Sequence, residues 1–362
     1  MPRTVQDPGR QRVCKTAHHG FTACAGRREH LSGGLLSHTV GMDAHVPPET
    51  AKEMDDSREP EPEEPDLLTS KLTDEAFPPL SSTVRVQLAA RSHSGGRPVN
   101  DDHFLIVELG RHQRTIATNL PDGEVPARFE EAGYGMIVAD GLGEAGATAS
   151  RLAITTLANL VLRFGKWQLR IDPAIADDVI ERARRFYHQV DQTVTETASE
   201  QTDLSGMGAT LTAAYSAGDM LFLAHVGHSR AYLFRGGVLT QLTSDQTLRQ
   251  RITDSGPGPF EAAANELDHV LTDVIGGHAR RARIQLGQFE LRGEDCVLLC
   301  TNGFSDVVDD KSAAAVLGMR APLDERCGAL VDLALARGTR DNVTAVLAQY
   351  IVPASSAAAR VG

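Results

Sequence analysis

The period of the hydrophobic pattern changes along this chain. Apolar and polar residues alternate or form short apolar runs at 84–90, 104–108 and 134–140, which predicts β-strands. Residues 145–164 and 174–198 instead carry apolar side chains at helical spacing. The pattern therefore predicts three strands followed by two consecutive helices with no strand between them.

After residue 208 the hydrophobic pattern again alternates between apolar and polar residues. Strands are predicted at 209–215, 220–226, 230–234, 238–242, 283–291, 295–301 and 342–351, and helices at 312–317 and 323–337. Residues 110–133 are predicted to be a surface insertion, and 244–268 short helices and loop. Strands and helices that segregate in this way indicate an α+β layered domain, mainly antiparallel, with sheet packed on sheet and helices outside.

Residues 1–80 lack the composition of a folded domain. Their first half is basic and aperiodic, and their second half is acidic, with the run Glu-Pro-Glu-Pro-Glu-Glu-Pro-Asp. We therefore expect a disordered N-terminal extension over 1–80, a folded domain over 81–353 and a flexible tail over 354–362. A true start at Met42 or Met54 would also explain the change of charge.

Composition excludes several classes of protein. The 362 residues carry a formal net charge of -12, which argues against nucleic-acid binding. Five cysteines without C-x-x-C spacing are typical of reduced thiols, and Cys296 and Cys300 are expected in the core. The sequence shows no apolar run of about 18 residues. We expect a cytoplasmic monomer that binds neither nucleic acid nor membrane.

The glycines after Asp140 allow two interpretations. Gly141, Gly143 and Gly146 fit the dinucleotide-binding pattern G-x-G-x-x-G, and Asp140-Gly141 also suits a metal-binding turn. The dinucleotide pattern requires a β-α-β unit. Two consecutive helices follow here, so the metal-binding turn is favoured.

A second short motif resembles the active-site turn of a serine hydrolase. Residues 227–231 read Gly-His-Ser-Arg-Ala, close to G-x-S-x-G. The nucleophile of that motif lies between a strand and a helix. Ser229 is instead followed by a predicted strand, so a serine hydrolase is not favoured.

Polar residues recur where predicted strands begin or end. They are Asp101 and Asp102, Asp140, Asn302 and Asp341. One Asp at a strand end is usually only a turn residue. Several across one domain suit a site for hard divalent cations, which are held by carboxylates and carbonyls from separate strands.

Seven blocks in order give a specific family resemblance. They are RPVNDD from Arg97, VADGLG from Val138, GMGATL from Gly206, VGHSRAYL from Val226, LTQLTSD from Leu239, LCTNGFSD from Leu299 and RDNVT from Arg340. Together they resemble the type 2C (PPM-type) metal-dependent protein serine/threonine phosphatases over about residues 84–352. The resemblance implies a four-layer αββα sandwich.

The resemblance also implies roles for individual residues. Asp140 would bridge two metal ions, the Gly141 carbonyl would bind the second and Asp341 the first. Asp101 and Asp102 match the acidic pair beside the second metal. The implied cofactors are therefore two divalent metal ions, Mn²⁺ or Mg²⁺.

The implied reaction is hydrolysis of phosphoserine and phosphothreonine on proteins by a metal-activated water. Arg97 would hold the substrate phosphate, for which a planar guanidinium is suited. The implied partners are phosphorylated proteins, targets of a serine/threonine kinase.

Two positions depart from the family pattern. Asn302 and His228 stand where the family usually has Asp, at one corner of the site. Asn302 keeps an oxygen but loses a charge, and His228 offers nitrogen either as a ligand or as a hydrogen-bonded turn residue. We therefore expect Mn²⁺ to be favoured over Mg²⁺. The alternative is a weak or inactive pseudophosphatase that binds phosphoproteins.

Overall fold

The computed structural model describes residues 83–353 except 122, 167, 170, 255–266, 268 and 278–280, together with the backbone of Gln11–Thr16. These residues belong to one compact unit. The expected disorder over 1–10 and 17–80 and the expected tail over 354–362 lie outside the described residues. Within the described part of the chain, no helix is long and apolar enough to cross a bilayer.

The described chain forms two antiparallel sheets and flanking helices. The strands are β1 (Gln11–Thr16), β2 (Arg85–His93), β3 (Asp102–Arg114), β4 (Arg128–Leu142), β5 (Gly208–Ala209), β6 (Leu211–Ala217), β7 (Met220–Val226), β8 (Arg230–Arg235), β9 (Val238–Gln241), β10 (Gln285–Glu290), β11 (Cys296–Cys300) and β12 (Val343–Ile351). The helices are α1 (Gly146–Phe164), α2 (Pro173–Glu200), α3 (Leu248–Asp254), α4 (Asn302–Ser305), α5 (Asp310–Leu317) and α6 (Leu323–Ala336).

The first sheet has the order β1-β2-β12-β11-β8-β9 and the second has the order β10-β7-β6-β4-β3, with β5 paired to β4. Inward side chains of both sheets, including Val138, Leu223, Leu299 and Val346, form one buried cluster. The two sheets therefore pack face to face, as the period-two pattern predicted.

Helices cover both outer faces. In β11, Val297 and Leu299 face the other sheet, whereas Leu298 packs outward with Leu330 of α6. On the second sheet, Ile137 packs outward with α1 and α2. The predicted four-layer αββα sandwich is confirmed.

The predicted core cysteines are also confirmed. Cys296 and Cys300 lie in the buried outward-facing cluster of β11 and are free thiols. Burial raises the pKa of each thiol to about 12, so both are neutral packing residues.

The prediction of a surface insertion over 110–133 was wrong. β3 continues to Arg114 and β4 begins at Arg128, and the two pair over their full length. The outer half of β3 is mostly exposed, so neither face needs apolar residues and the sequence shows no alternation there. Backbone pairing, together with the cross-strand ion pair of Arg111 and Glu131, defines this part of the hairpin.

The expectation of no regular structure before residue 81 does not hold for Gln11–Thr16. This segment pairs antiparallel with β2 at the edge of the first sheet. An edge strand satisfies its backbone hydrogen bonds on one side only and requires no buried face. The composition of residues 1–80 therefore gave no signal for it.

Candidate metal centre

Two adjacent strands bring a pair of carboxylates together. Asp102 begins β3 and Asp140 lies near the end of β4, and the two residues are direct cross-strand partners. Their relative exposures are only 4% and 8%. Opposed carboxylates repel each other, so this strand pair requires a cation or a proton to be stable.

Two hydroxyl groups fix the orientation of Asp102. Thr301 Oγ1 donates a hydrogen bond of 2.7 Å to Asp102 Oδ2, and Thr344 Oγ1 donates one of 2.8 Å to the same oxygen. Asp102 Oδ1 is buried and has no hydrogen-bond partner among the described residues. One carboxylate oxygen is therefore held by protein donors while the other remains available to a ligand.

The acidic residues perturb one another. Burial raises the pKa of Asp140 well above its usual value, and the charges of Asp102, Asp341 and Asp101 raise it further. Burial raises the pKa of Asp102 to about 7, with added contributions from Asp341 and Asp101. Four carboxylates from three parts of the chain therefore lie within electrostatic range of one another. A bound divalent cation would remove this repulsion.

Asn342 holds the loop that carries Arg97. Its side-chain amide donates to the carbonyls of Ser94 and Val99, both at 2.9 Å, and its Oδ1 accepts from the backbone N–H of Asp101 at 2.8 Å. These bonds join the start of β12 to the loop between β2 and β3. Asp101, Asp102 and Asp341 are thereby fixed relative to one another.

Arg97 lies at the open side of this cluster. Its Nε is 3.1 Å from Asp341 Oδ1, and 58% of its side chain is exposed. The nearby Gly95 has a φ of +60°, and a Cβ there would lie 1.9 Å from the Asp341 carbonyl oxygen. Only glycine permits this close approach of the two loops.

The turn that follows Asp140 connects β4 to α1. A Cβ on Gly141 would lie 2.0 Å from the carbonyl oxygen of Gly146, the first residue of the helix. Ser150 Oγ donates a 2.6 Å hydrogen bond to the Asp101 carbonyl. The turn is therefore closely packed against α1, and α1 also holds the Asp101 backbone.

The two departures from the family pattern lie at buried positions. Asn302 opens α4, is 7% exposed and donates from Nδ2 to Asp306 Oδ2 at 3.2 Å. His228 is 8% exposed, and its Nδ1 has no partner among the described residues. Burial lowers the pKa of His228 to about 4, so its imidazole is neutral at pH 7.

The serine-hydrolase interpretation finds no support in the geometry. Ser229 is fully buried, and its Oγ lies 2.8 Å from Thr210 Oγ1. The next residue, Arg230, begins β8 and forms a bidentate ion pair with Asp245. His225 is buried against Thr212, as expected for a core histidine. Helix α1 is likewise followed by α2, which excludes the dinucleotide-binding unit.

The donor set fits a hard divalent cation. Within the described residues, no group of three His, Cys, Asp or Glu side chains is arranged to hold a metal by itself. Mg²⁺ keeps several waters and binds through one or two carboxylates. The unpartnered Asp102 Oδ1 and the buried carboxylate of Asp140 are donors of that kind.

The sequence interpretation did not assign roles to three of the residues that build the site. Thr301 and Thr344 orient Asp102, and Asn342 fixes the Arg97 loop. Each lies within three positions of a predicted site residue. Their adjacency in sequence was the available signal, but their partners are over 190 residues away.

The fold and the site together define a layered α+β protein with a buried acidic cluster between strand ends. Residues 124–334 match the family model described as protein phosphatase 2C. The chain belongs to the protein phosphatase 2C family.

Curated relatives agree with this assignment. The chain is 34% identical to the serine/threonine protein phosphatase PstP of Mycobacterium tuberculosis over 236 residues, which are 63% of this chain and 43% of PstP. It is 29% identical to the serine/threonine phosphatase Stp of Listeria monocytogenes over 217 residues, 59% of this chain and 83% of Stp. The chain thus spans less than half the length of PstP.

Solved structures agree as well. The catalytic domain of PstP in complex with two manganese ions is similar at a TM-score of 0.56 and 31% identity, covering 74% of this chain and 99% of that domain. The S. agalactiae serine/threonine phosphatase gives a TM-score of 0.59 at 25% identity, covering 74% of this chain and all of that one. The similarity therefore includes nearly the whole catalytic domain of PstP.

Proposed function

We propose that this protein hydrolyses phosphoserine and phosphothreonine on proteins with two divalent metal ions. The observation that carries the proposal is the cross-strand pair of Asp102 and Asp140, buried together with a free carboxylate oxygen. Membership of the protein phosphatase 2C family supports it. The serine/threonine phosphatases among its relatives support the substrate class.

The chain supplies the ligands and the phosphate contact. Asp140 is proposed to bind both ions and Asp341 the first. The Gly141 carbonyl and the pair Asp101 and Asp102 are proposed to bind the second. When bound, the two cations polarise the phosphoryl oxygens and activate a water for in-line attack.

The proposed role of Arg97 is to hold the substrate phosphate. Its guanidinium lies beside Asp341 and is largely exposed, so an incoming phosphate dianion can reach it. The ion pair with Asp341 orients the guanidinium before substrate binds. A planar fork of donors then matches two phosphate oxygens.

Asn302 and His228 are proposed to complete one corner of the site. A neutral imidazole and an amide oxygen are weaker ligands for Mg²⁺ than carboxylates, and transition ions accept nitrogen more readily. We therefore infer that Mn²⁺ supports activity better than Mg²⁺. The two manganese ions in the PstP catalytic domain are consistent with this inference.

The decisive experiment is release of phosphate from a phosphothreonine peptide. We expect turnover with Mn²⁺, slower turnover with Mg²⁺ and none with EDTA. Asp140→Asn should lower kcat at least about a hundredfold, the scale typical of losing a principal electrostatic group. Ser229→Ala serves as the matched control and should retain activity.

Two results would contradict this proposal. Peptide binding without turnover under every metal condition would indicate a phosphoprotein-binding pseudophosphatase. Activity that survives EDTA but is abolished by Ser229→Ala would indicate a serine hydrolase instead.

The proposal also covers the source of the substrates, the oligomeric state and the cellular location of the protein. We infer that the substrates are targets of a serine/threonine kinase and that the protein acts as a cytoplasmic monomer in signalling. The buried free thiols Cys296, Cys300 and Cys327 suit a reducing compartment. Light scattering of the purified protein would test the monomeric state, and cell fractionation would test the location.

A further inference from the structure

A cavity of about 200 Å³ lies between the second sheet and helices α1 and α2. Its walls come from β3, β4, β6 and β7 on one side and from the two helices on the other. None of the proposed metal ligands lines it. It is therefore separate from the candidate metal centre.

The cavity divides the core on this face of the sheet. One buried cluster includes Ile137, Leu157 and Tyr187, and a second includes Ala176 and Phe222. Residues of both clusters line the cavity. Protein interiors are normally packed without voids much larger than a water molecule, so this space between two clusters is unusual for a structural core.

The cavity walls are apolar and offer water few partners. The aromatic side chains of Phe186, Tyr187, Tyr215 and Phe222 line it. Both tyrosine hydroxyls are already used, since Tyr187 donates to the Ala224 carbonyl at 2.8 Å and Tyr215 to the Gln168 carbonyl at 3.1 Å. An apolar cavity of about 150 Å³ is known to stay dry and to bind benzene. This cavity is larger and partly open to solvent, and its walls are likewise apolar.

One end of the cavity reaches the surface beside a surplus of positive charge. Leu162, which is 57% exposed, and Lys166, whose side chain is 67% exposed, both line it. Lys166 and Arg182 share one carboxylate, Asp178. These two cations share a single carboxylate, so this ion-paired group carries one net positive charge.

We propose that this cavity binds a small monoanionic amphiphile, with its apolar body between α1, α2 and the sheet and its carboxylate beside Lys166. The size of the cavity and its aromatic walls select the apolar body. The unmatched positive charge of the Lys166, Arg182 and Asp178 group favours a carboxylate as the head group of the ligand. A neutral ligand would fill the same space but would gain nothing from Lys166.

Titration with octanoate, followed by calorimetry and by tryptophan fluorescence, tests this site. Trp167 is the chain's single tryptophan and directly follows Lys166 in the sequence. We expect saturable 1:1 binding of octanoate and of neutral 1-octanol. Lys166→Gln should weaken octanoate binding by up to roughly fivefold, as for one partly exposed ion pair, and leave 1-octanol unchanged.

Filling the cavity provides the matched test. Ala183 lines it, whereas Ala174 is exposed on the same helix. Ala183→Leu should weaken octanoate binding at least about tenfold, which corresponds to 1.4 kcal/mol, while Ala174→Leu should not change it. If Ala183→Leu does not fold, Ala158→Leu occupies the cavity from α1 instead.

Equal binding to wild type and to a folded cavity-filled variant, or no saturable binding, would overturn the proposal. Equal effects of Lys166→Gln on octanoate and 1-octanol would overturn the assigned head group. No readout depends on phosphate release, so failure here leaves the proposed phosphatase activity untouched.

Discussion

Asp102 shows how much of the candidate site depends on residues that do not contact a metal. Thr344 Oγ1 donates to Asp102 and also lies 2.8 Å from Ser92 Oγ, and Thr301 Oγ1 accepts from the Thr344 backbone N–H at 3.0 Å. This network connects β2, β3, β12 and the junction between β11 and α4. It orients one carboxylate while leaving Oδ1 free.

Thr344→Val is expected to weaken Mn²⁺ binding by about tenfold or more, the range seen when a residue behind a metal ligand is lost. The valine has the same shape but cannot donate to Asp102 Oδ2. Calorimetric titration with Mn²⁺ measures the change, and Thr344→Ser should restore most of the affinity. Wild-type affinity in the folded valine variant would show that the hydroxyl does not position Asp102.

The double variant Asn302→Asp with His228→Asp is expected to raise Mg²⁺-supported hydrolysis. It restores two carboxylates at the corner where this chain has an amide and an imidazole, and hard cations prefer charged oxygen ligands. The ratio of Mg²⁺ to Mn²⁺ turnover is the measurement. An unchanged ratio would mean that neither residue acts on the metals.

His225 is expected to make stability depend on pH. Burial lowers its pKa from 6.5 to about 4, so between these values the unfolded chain binds more protons than the folded one. Its contribution, on the order of 3 kcal/mol, is complete above pH 6.5 and is lost as the pH falls towards 4.

Urea unfolding of wild type and His225→Gln across this pH range measures the effect. The free energy of unfolding of the variant should fall less steeply between pH 6.5 and 4. Parallel curves for the two proteins would exclude His225 as the cause.

At the scale of elements, the hydrophobic pattern predicted the strands and helices that have a buried face. β7, β11, α1 and α2 were found close to their predicted bounds, whereas β4 begins six residues earlier than predicted. The outer half of the β3–β4 hairpin was missed because β3 is mostly exposed there and shows no alternation. β1 was missed because the composition of residues 1–80 gave no signal for it. α4 was missed because its four residues are too few to show a helical period.

The candidate site was predicted less completely than the fold. The acidic residues were recognised at the strand ends, and the structure brings Asp102 and Asp140 into cross-strand register. The contacts that orient them could not be predicted. Asn342 and Ser94, for example, are 248 residues apart in the chain, and no local pattern encodes such a pairing.

The close contact between α4 and β12 gives a prediction at this scale. A Cβ on Gly303 would lie 1.9 Å from the Asn342 carbonyl oxygen. Gly303 directly follows the proposed site residue Asn302, and Asn342 directly follows Asp341. Gly303→Ala should therefore destabilise the fold by about 1–3 kcal/mol, as overpacking does, and should weaken Mn²⁺ binding.

Gly318→Ala is the matched control, because its nearest neighbour would be 3.3 Å from the new Cβ. Thermal unfolding and Mn²⁺ titration of both variants are the measurements. Similar effects of the two substitutions would show that the α4–β12 contact is not specific to the site.

The molecule as a whole carries a net charge of -12, and part of it is concentrated in the buried acidic cluster. Metal binding should therefore stabilise the entire fold. At a free Mn²⁺ concentration of 100 times Kd we expect about 2.7 kcal/mol of added stability per site. The melting temperature should rise with Mn²⁺ and fall with EDTA.

Asp140→Asn tests the origin of that stabilisation. Removing one buried negative charge should leave the metal-free protein at least as stable as wild type and should abolish most of the Mn²⁺-dependent rise in melting temperature. A full rise in the variant would place the stabilising ions elsewhere on the molecule.

The position of β12 in the first sheet has a consequence for how the protein is made. β12 lies between β2 and β11, although it is the last described strand along the chain. During synthesis, about 250 further residues must be added after β2 before its neighbour β12 is made. Such non-local pairing is slow to form. Asp341 and Asn342 arrive together with that strand. The proposed metal centre can therefore assemble only when β12 has paired within the first sheet. Only the completely folded chain should then bind the metal ions.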